Sequence, residues 1–160
     1  MSKIKLLILY SINLILIVSC VKNQPNYKFD INYISGGIDG LIFRNLVHAN
    51  IKSFNLYDPN SNLKINISIN HQSSLFVTNV NNTSDRQSII STISATIRNE
   101  DLECDFYQFQ DSVNKFFVIS SNIKYMSNNK ATEEIKKNNA EILINKFIKN
   151  IIYLENINCK

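Results

Sequence analysis

The amino-acid sequence predicts an α+β two-layer sandwich, with about four mainly antiparallel strands and two helices on one face of the sheet. Two observations predict this fold. In four stretches apolar residues alternate with polar ones, which is the period of a half-buried strand. In two other stretches apolar residues recur every three or four positions, which is the period of an amphipathic helix. The order along the chain is β-α-β-β-β-α, and three consecutive strands with short turns favour antiparallel pairing.

The first strand and helix are predicted on either side of the glycines. Apolar residues take every second position from Tyr27 to Tyr33, as in a strand. The turn "SGGIDG" (35–40) contains all three glycines of the chain, but it lacks the Gly-Lys-Ser/Thr ending of a phosphate-binding loop. Asp39 is a candidate cap for a helix over 39–52. The predicted inward stripe of this helix consists of Ile38, Ile42, Leu46 and Ala49.

Two further strands follow a turn at 55–62, which is rich in Asp, Pro, Asn and Ser. The second strand begins with isoleucines at alternate positions over 63–70. Residues 75–80 either continue that strand or form a twisted extension of it. After a polar turn at 81–85, the third strand covers 86–99. Its inward face is predicted to carry Ile89, Ser91, Ile93, Ala95 and Ile97.

The last strand and helix are predicted after an ambiguous segment at 100–112, which fits either a strand or a loop. The fourth strand is placed at 114–126, with Phe117, Ile119, Ile123 and Tyr125 on one face. Either Asn129 or Thr132 is expected to cap the final helix, which runs to about Leu154, with Glu133 and Glu134 in its first turn. The predicted inward stripe of this helix consists of Ala140, Ile144, Phe147, Ile148 and Ile151.

A second, thinner apolar face is present on this final helix, formed by Ile135, Ile142 and Tyr153. A helix that lies on a sheet needs only one apolar face, so these residues are a candidate partner face. The alternative is that single exposed apolar residues are common and carry no meaning.

The N-terminus has the three parts of a secretory signal. Lys3 and Lys5 form a short basic region, an apolar run extends from Leu6 to Val18, and small residues follow. The run is too short for a spanning helix, which needs about 20 apolar residues. Ile17-Val18-Ser19-Cys20 is similar to a bacterial lipobox, in which the Cys is acylated and becomes the first residue. An ordinary signal with an incidental Cys, or an uncleaved anchor, is the alternative.

The predicted organisation therefore has four parts: a signal peptide at 1–19, a lipidated tether at 20–26, one α+β domain at 27–155 and a tail at 156–160. Cleavage leaves 141 of the 160 residues and removes two lysines, which lowers the net charge from +4 to +2. This charge is too small to indicate binding to nucleic acid. Cys104 and Cys159 either pair in an oxidising periplasm or are unrelated.

Residues for catalysis are not apparent in the sequence. His48 and His71 lack companions at metal-ligand spacing, and no G-x-S-x-G motif is present. We therefore expect that the protein is not an enzyme, and we expect no metal or cofactor.

The whole arrangement resembles the lipopolysaccharide (LPS) assembly lipoproteins of the LptE type. The resemblance covers nearly all of residues 20–155. It is carried by "IVSC", by the strands "YKFDINYI", "LKINISIN" and "TSDRQSIISTISATI", and by the helical segments "GGIDGLIFRNLVHANI" and "NKATEEIKKNNAEILINKFIKNII".

This resemblance implies an outer-membrane lipoprotein, lipid-anchored on the periplasmic side, that plugs an LPS-translocating β-barrel. Val21 after the Cys, in place of Asp, favours outer-membrane sorting in such proteins. LPS phosphates need cations, and the candidate contacts are Lys64, Arg86, Arg98 and Lys124. The alternative is an envelope lipoprotein that binds a small molecule or an envelope polymer without a barrel partner. That alternative predicts an apolar pocket between helix and sheet.

Overall fold

The computed structural model describes residues 27–35, 40–77, 84–119 and 125–154. The described elements confirm the predicted α+β class and the order β-α-β-β-β-α. They are β1 (Asp30–Ser35), α1 (Gly40–Ser53), β2 (Leu63–Val77), β3 (Ser84–Asn99), β4 (Cys104–Val118) and α2 (Tyr125–Ile152). Several predicted features lie outside the described residues: the signal peptide at 1–19, the tether at 20–26 with Cys20, the helix-start residues Ile38 and Asp39, Lys124, and the tail with Cys159.

The strands form one sheet in the order β1-β2-β3-β4. The pairs β2–β3 and β3–β4 are antiparallel, as predicted from their short connections. β1 pairs with β2 in parallel, and α1 makes the crossover that a parallel connection requires. β2 and β3 are paired from Leu63 to Val77, which shows that residues 63–77 form one long strand.

Both helices pack against one face of the sheet and enclose the core. The predicted inward faces of β3 and α2 are confirmed, and Leu143 of α2 is also buried. Phe147 of α2 lies at the centre of this layer, with its ring 5.6 Å from that of Phe109 in β4. The core of the sheet and helices is formed by Phe29, Phe43, Val47, Ile51, Leu56, Ile65, Ile67, Ile69, Ile93, Ala95, Ile97, Ala140, Leu143, Ile144, Phe147, Ile148 and Ile151.

The predicted stripe of α1 is wrong by one position. Phe43, Val47 and Ile51 are buried, whereas Ile42 is 49% exposed and Ala49 is exposed. Two neighbouring stripes of this helix are apolar, and the one with the larger Phe and the β-branched Val and Ile buries more surface. Leu46, from the predicted stripe, packs only at the edge of the core.

The chain that leaves the end of α1 is hydrogen-bonded to the residue that precedes β1. Asn55 adopts a left-handed conformation (φ 55°), and the amide of Leu56 donates to the carbonyl oxygen of Ile51. This is the pattern of a Schellman C-cap, and it turns Leu56 into the core. The amide of Phe29 then donates to the carbonyl oxygen of Leu56 at 2.7 Å.

Strand β1 contains an irregularity that the alternating pattern did not predict. Its register against β2 shifts between Ile31 and Tyr33. A bulge of this kind turns the following side chain to the other face. Tyr33 is therefore 59% exposed, and Ile34 packs against the core in its place.

The predicted boundaries of the fourth strand and last helix are wrong. β4 begins at Cys104 and ends at Val118, and Tyr125 belongs to α2. The ambiguous segment 100–112 is thus a turn followed by strand, because the pairing of β3 with β4 extends from Arg86 to Asn99.

The predicted start of α2 is also wrong, because the helix begins at Tyr125, before both predicted caps. Asn129 lies inside α2, and so does Thr132, whose hydroxyl donates to the carbonyl oxygen of Asn128 instead of capping the helix. Glu133 and Glu134 likewise lie beyond the first turn, and Glu133 pairs with Lys136 on the helix surface at 3.1 Å.

Cys104, the first residue of β4, is disulfide-bonded. The sequence left this question open. The bond joins the start of β4 to a part of the chain outside the described residues.

Candidate functional site

The face of the sheet opposite the helices is a candidate interaction surface, which we call the open face. Side chains alternate along each strand, so the residues between the buried isoleucines of β2 and β3 point to this face. Its central part is polar and carries no charged residue on β2, β3 or β4. The residues of this central part are Asn66, Ser68, Asn70, Gln72, Thr92, Ser94, Thr96, Gln108, Gln110, Ser112 and Asn114.

Hydrogen bonds between these side chains and their neighbours connect the strands across the open face. Asn32 of β1 donates to the Oδ1 atom of Asn66 at 3.0 Å. Ser68 donates to the carbonyl oxygen of Ser94 at 3.4 Å. Amides and hydroxyls can both donate and accept, so the many exposed groups of this face can bond to a polar partner.

One end of the open face carries charges that are already paired. Lys64 and Arg98 are direct neighbours across β2 and β3. Lys64 Nζ lies 2.9 Å from Asp30 Oδ2, and this hydrogen bond raises the pKa of Lys64. Arg98 Nη1 lies 3.8 Å from Asp105 Oδ1. Each of these two candidate LPS contacts therefore has a carboxylate of the same chain beside it, in a close contact for Lys64 and a looser, exposed one for Arg98.

The opposite end of the open face is apolar around one arginine, and we call it the distal patch. Phe76, Arg86 and Val118 form one row across β2, β3 and β4. Neighbouring strands lie about 4.8 Å apart, so Arg86 stands between two apolar side chains. Phe116 adjoins this row and is 67% exposed, and Ile90 lies two rows from it, about 13 Å from Arg86 along β3. Arg86 is exposed, and within the described ranges no carboxylate forms an ion pair with it.

The four predicted LPS contacts do not form one cluster. Arg86 and Arg98 are separated by twelve residues of one strand, which is about 40 Å. Lys64 belongs with Arg98, and Lys124 lies outside the described residues. Of the three that the structure describes, Arg86 is the one that combines a charge without an ion-pair partner with exposed apolar neighbours.

The predicted partner face of α2 is partly accessible. Ile135 and Ile142 are half-buried, and Tyr153 is 72% exposed just after the end of the helix. None of the three belongs to the core or packs against it. All three lie along one side of α2.

The two histidines lie apart, on different elements. The His48 ring in α1 meets the ring of Tyr57 edge-on at 6.3 Å. In β2, His71 Nδ1 lies 2.8 Å from the Oγ atom of Ser91, and Ser91 is fully buried. The Ser91 hydroxyl is therefore shielded from solvent, whereas His71 is half-buried. In the described part of the chain, no group of three His, Cys, Asp or Glu residues is arranged to hold a metal ion.

A pocket of about 20 Å³ lies between the helices and the sheet, and its lining includes Phe43, His71, Ala140, Glu133 and Lys136. This volume holds about one water molecule. Neither described helix has the length and apolar composition of a membrane-spanning helix.

Comparison with solved structures identifies the fold. Rare lipoprotein B from Shewanella oneidensis matches with a TM-score of 0.57, at 10% identity over 81% of this chain and 99% of that chain. An uncharacterised lipoprotein B from Nitrosomonas europaea matches with a TM-score of 0.60, at 9% identity over 82% of this chain and 88% of that chain. A putative lipoprotein from Caulobacter crescentus gives 0.52, at 12% identity over 78% and 87%. The chain therefore shares its fold with these three bacterial lipoproteins.

No protein-family model matches the chain, and no curated protein matches it. The likeness to the three lipoproteins is thus one of structure at low sequence identity.

The sequence predicted Arg86 but missed the apolar residues that surround it. The signal for them was weak: Phe76 and Phe116 occupy positions of the polar stripe in their strands, so they interrupt the alternation. Such interruptions resemble ordinary exposed apolar residues until the strands are paired.

Proposed function

We propose that this protein is an outer-membrane lipoprotein that binds and plugs an LPS-translocating β-barrel and assists LPS assembly. The main observation in support of this proposal is the composition and accessibility of the open face. This face is long, polar, free of charge in its central part and not covered by either described helix.

The chemistry of the open face suits the inside of a barrel. The lumen of a large transmembrane barrel is lined with polar side chains. A plug must therefore satisfy those groups with its own donors and acceptors, and a uniform charge would be costly away from bulk water. Asn, Gln, Ser and Thr side chains meet both conditions.

The distal patch supports the role in LPS assembly. LPS has phosphates beside acyl chains, so a binding site needs a cation with apolar surface around it. Arg86 with Phe76, Phe116, Ile90 and Val118 provides this combination. The guanidinium group is suited to phosphate because it presents its N–H donors in a planar fork.

Anchoring and sorting rest on the N-terminus. Acylation of Cys20 by more than one chain would hold the protein stably at a membrane. Val21 favours the outer membrane, and the body then faces the periplasm. The fold shared with bacterial lipoproteins supports this assignment. In the proposed role the protein is not an enzyme and uses no cofactor.

The alternative function, binding of a small molecule without a barrel partner, predicts an apolar pocket between helix and sheet. The pocket found there has a volume of about 20 Å³, far below the roughly 300 Å³ of a small-molecule site. This observation favours the barrel-plug proposal.

Site-specific photo-crosslinking in cells tests the proposal. A photoreactive residue at Ser94 or Gln110 on the open face is expected to give a barrel-sized adduct. Ile142 tests the partner face of α2 in the same way. Asn45 of α1 is exposed, lies on neither of these faces and serves as the control position, from which a weaker adduct is expected.

Extraction in gentle detergent is a second test, and its result can contradict the proposal. The tagged lipoprotein is expected to leave the membrane with a barrel. Recovery of a monomer alone, together with no barrel adduct from any of these positions, would rule out the plug.

A further inference from the structure

Helix α1 carries a line of basic residues along one side. Arg44, His48 and Lys52 follow each other at intervals of four residues, which places them on adjoining turns of the helix. We call these three residues the basic stripe. Arg44 and Lys52 are exposed, and α1 contains no acidic residue. Burial, and after it the nearby charges of Lys52 and Arg44, lower the pKa of His48, while the carboxylate of Asp30 in β1 acts in the opposite direction. The groups of the basic stripe are therefore electrostatically coupled.

The basic stripe lies beside the point where the tether enters the domain. Lys52 Nζ stands 5.2 Å from the centre of the Tyr57 ring, and the His48 ring meets the same ring. The backbone of Tyr57 pairs with Phe29, two residues after Tyr27. Phe54, at the end of α1, adds an exposed aromatic side chain to this region.

The tether limits how far this region can be from the membrane. Seven residue steps separate Cys20 from Tyr27, and seven fully extended residues span at most about 25 Å. A protein anchored through Cys20 therefore holds Tyr57 and the adjoining end of α1 close to the lipid headgroups.

The acidic side chains of this region belong to other elements, and most of them already form hydrogen bonds or ion pairs. Asp30 pairs with Lys64 at 2.9 Å. Asp58 accepts a hydrogen bond from the amide of Asn60, and Asp101 accepts one from the side chain of Asn62. Glu100 lies 3.9 Å from Lys64. The basic stripe is thus a cationic surface near the anchor with no carboxylate on its own helix, and the exposed Lys28 adds a further positive charge next to the tether.

We propose that the basic stripe docks on an anionic phospholipid surface and so sets the orientation of the anchored domain. This inference rests on the proposed acylation of Cys20. Juxtamembrane Lys and Arg residues are attracted to anionic headgroups within about a Debye length of the surface, and salt weakens that attraction. A tether of at most about 25 Å allows Arg44 and Lys52 to reach this range when the domain turns α1 towards the membrane.

The test uses the full lipidated protein in nanodiscs, either of phosphatidylcholine alone or with phosphatidylglycerol added. NMR follows the two histidines separately. Phosphatidylglycerol is expected to raise the pKa of His48, because its phosphates favour the imidazolium form. His71 lies under α2 and is the internal reference. A lipid with a gadolinium chelate in its headgroup is expected to broaden the His48 signal more than the His71 signal.

Variants separate docking from a general effect of charge. The double variant Arg44→Gln/Lys52→Gln is expected to lose both the rise in the pKa of His48 and its preferential broadening. The matched control, Lys130→Gln/Lys149→Gln, removes the same charge from exposed positions of α2 and is expected to keep both. High salt is expected to act like the first variant.

The outcomes distinguish this inference from the proposed function. An intact mass without acyl chains would overturn the anchoring on which both depend. A correctly acylated protein whose His48 responds equally in both kinds of nanodisc would overturn the docking alone. Equal broadening of His48 and His71 in phosphatidylglycerol would do the same.

Discussion

Asn139 of α2 donates from its side-chain amide to the Oγ atom of Ser91 in β3 at 3.0 Å, and both residues are fully buried. The same amide nitrogen lies 3.3 Å from the carbonyl oxygen of Ile89. Because one amide bonds to both backbone and side chain of β3, it fixes the position of α2 along the sheet. The Oδ1 atom of Asn139 has no partner within the described residues, which reduces the net gain from this arrangement.

The first prediction concerns this contact. Asn139→Ala is expected to lower the free energy of unfolding by about 1–3 kcal/mol, because buried hydrogen bonds to Ser91 and Ile89 are lost. Asn138→Ala is the matched control, since Asn138 is exposed and accepts only a surface bond from Lys115. It is expected to change stability by less than about 0.5 kcal/mol. Urea denaturation of both variants measures the difference, and equal effects would contradict the prediction.

The elements with one clear apolar face were predictable from the sequence. In β3 and α2 the inward residues are the predicted ones, because Ile and Phe side chains recur there at a single period. The face of α1 was not predictable, since two adjacent stripes are apolar and only the packing against β1 and α2 selects Phe43, Val47 and Ile51. The start of β4 was not predictable, because the register shift near Phe106 breaks the alternation of apolar and polar residues. The pattern Phe106, Tyr107, Phe109 therefore does not have the period of a regular strand.

The candidate site was only partly predictable, because its residues come together only through the pairing of the strands. The distal patch consists of residues from three strands, and its members become neighbours through the long register of the β2–β3 and β3–β4 pairs. Arg86 is recognisable as a cation in the sequence, but its lack of an acidic partner depends on this pairing. Lys64 and Arg98 have the same charge, and the fold supplies them with Asp30 and Asp105.

The second prediction concerns acid stability. Lys146 Nζ of α2 lies 2.7 Å from Asp111 Oδ2 of β4, and this hydrogen bond lowers the pKa of Asp111. A lowered pKa in the folded state means that the stabilisation is fully present above the unfolded pKa of about 3.9 and is lost as the pH falls through the folded pKa. Asp111→Asn is therefore expected to lose stability at pH 7 by no more than about 1 kcal/mol, since the pair is partly exposed.

The pH profile is the measurement. Below pH 4 the stability of the wild type is expected to fall more steeply than that of Asp111→Asn, and the two curves should converge. Glu133→Gln is the comparison, because Glu133 pairs with Lys136 within the exposed surface of α2. A wild-type curve that runs parallel to that of Asp111→Asn throughout would show that the pair with Lys146 contributes nothing.

The third prediction concerns the disulfide of Cys104. The chain contains three cysteines, and the proposed function assigns Cys20 to acylation, so the expected partner is Cys159. Peptide mapping without reduction is expected to recover a Cys104–Cys159 pair. Cys104→Ser is expected to lower the free energy of unfolding by about 2–4 kcal/mol. A Cys104–Cys20 pair would contradict the acylation of Cys20 directly.

The fourth prediction concerns Arg86 in the distal patch. Arg86→Gln is expected to weaken the binding of purified LPS to the detergent-solubilised lipoprotein by about tenfold, since one charge-assisted hydrogen bond to phosphate is lost. Folding should be unaffected because Arg86 is exposed and makes no ion pair with any described residue. Fluorescence titration with LPS measures the change.

Arg98→Gln is the matched control for this prediction. Arg98 lies on the same face of the same strand, but its cross-strand neighbours are Lys64 and Asp105 in place of apolar residues, so its loss is expected to change LPS binding by less than twofold. Phe116→Ser tests the apolar part of the distal patch and is expected to weaken binding without altering the charge. If Arg86→Gln and Arg98→Gln weaken binding equally, the attraction is a general effect of net charge. The distal patch would then have no special part in LPS recognition.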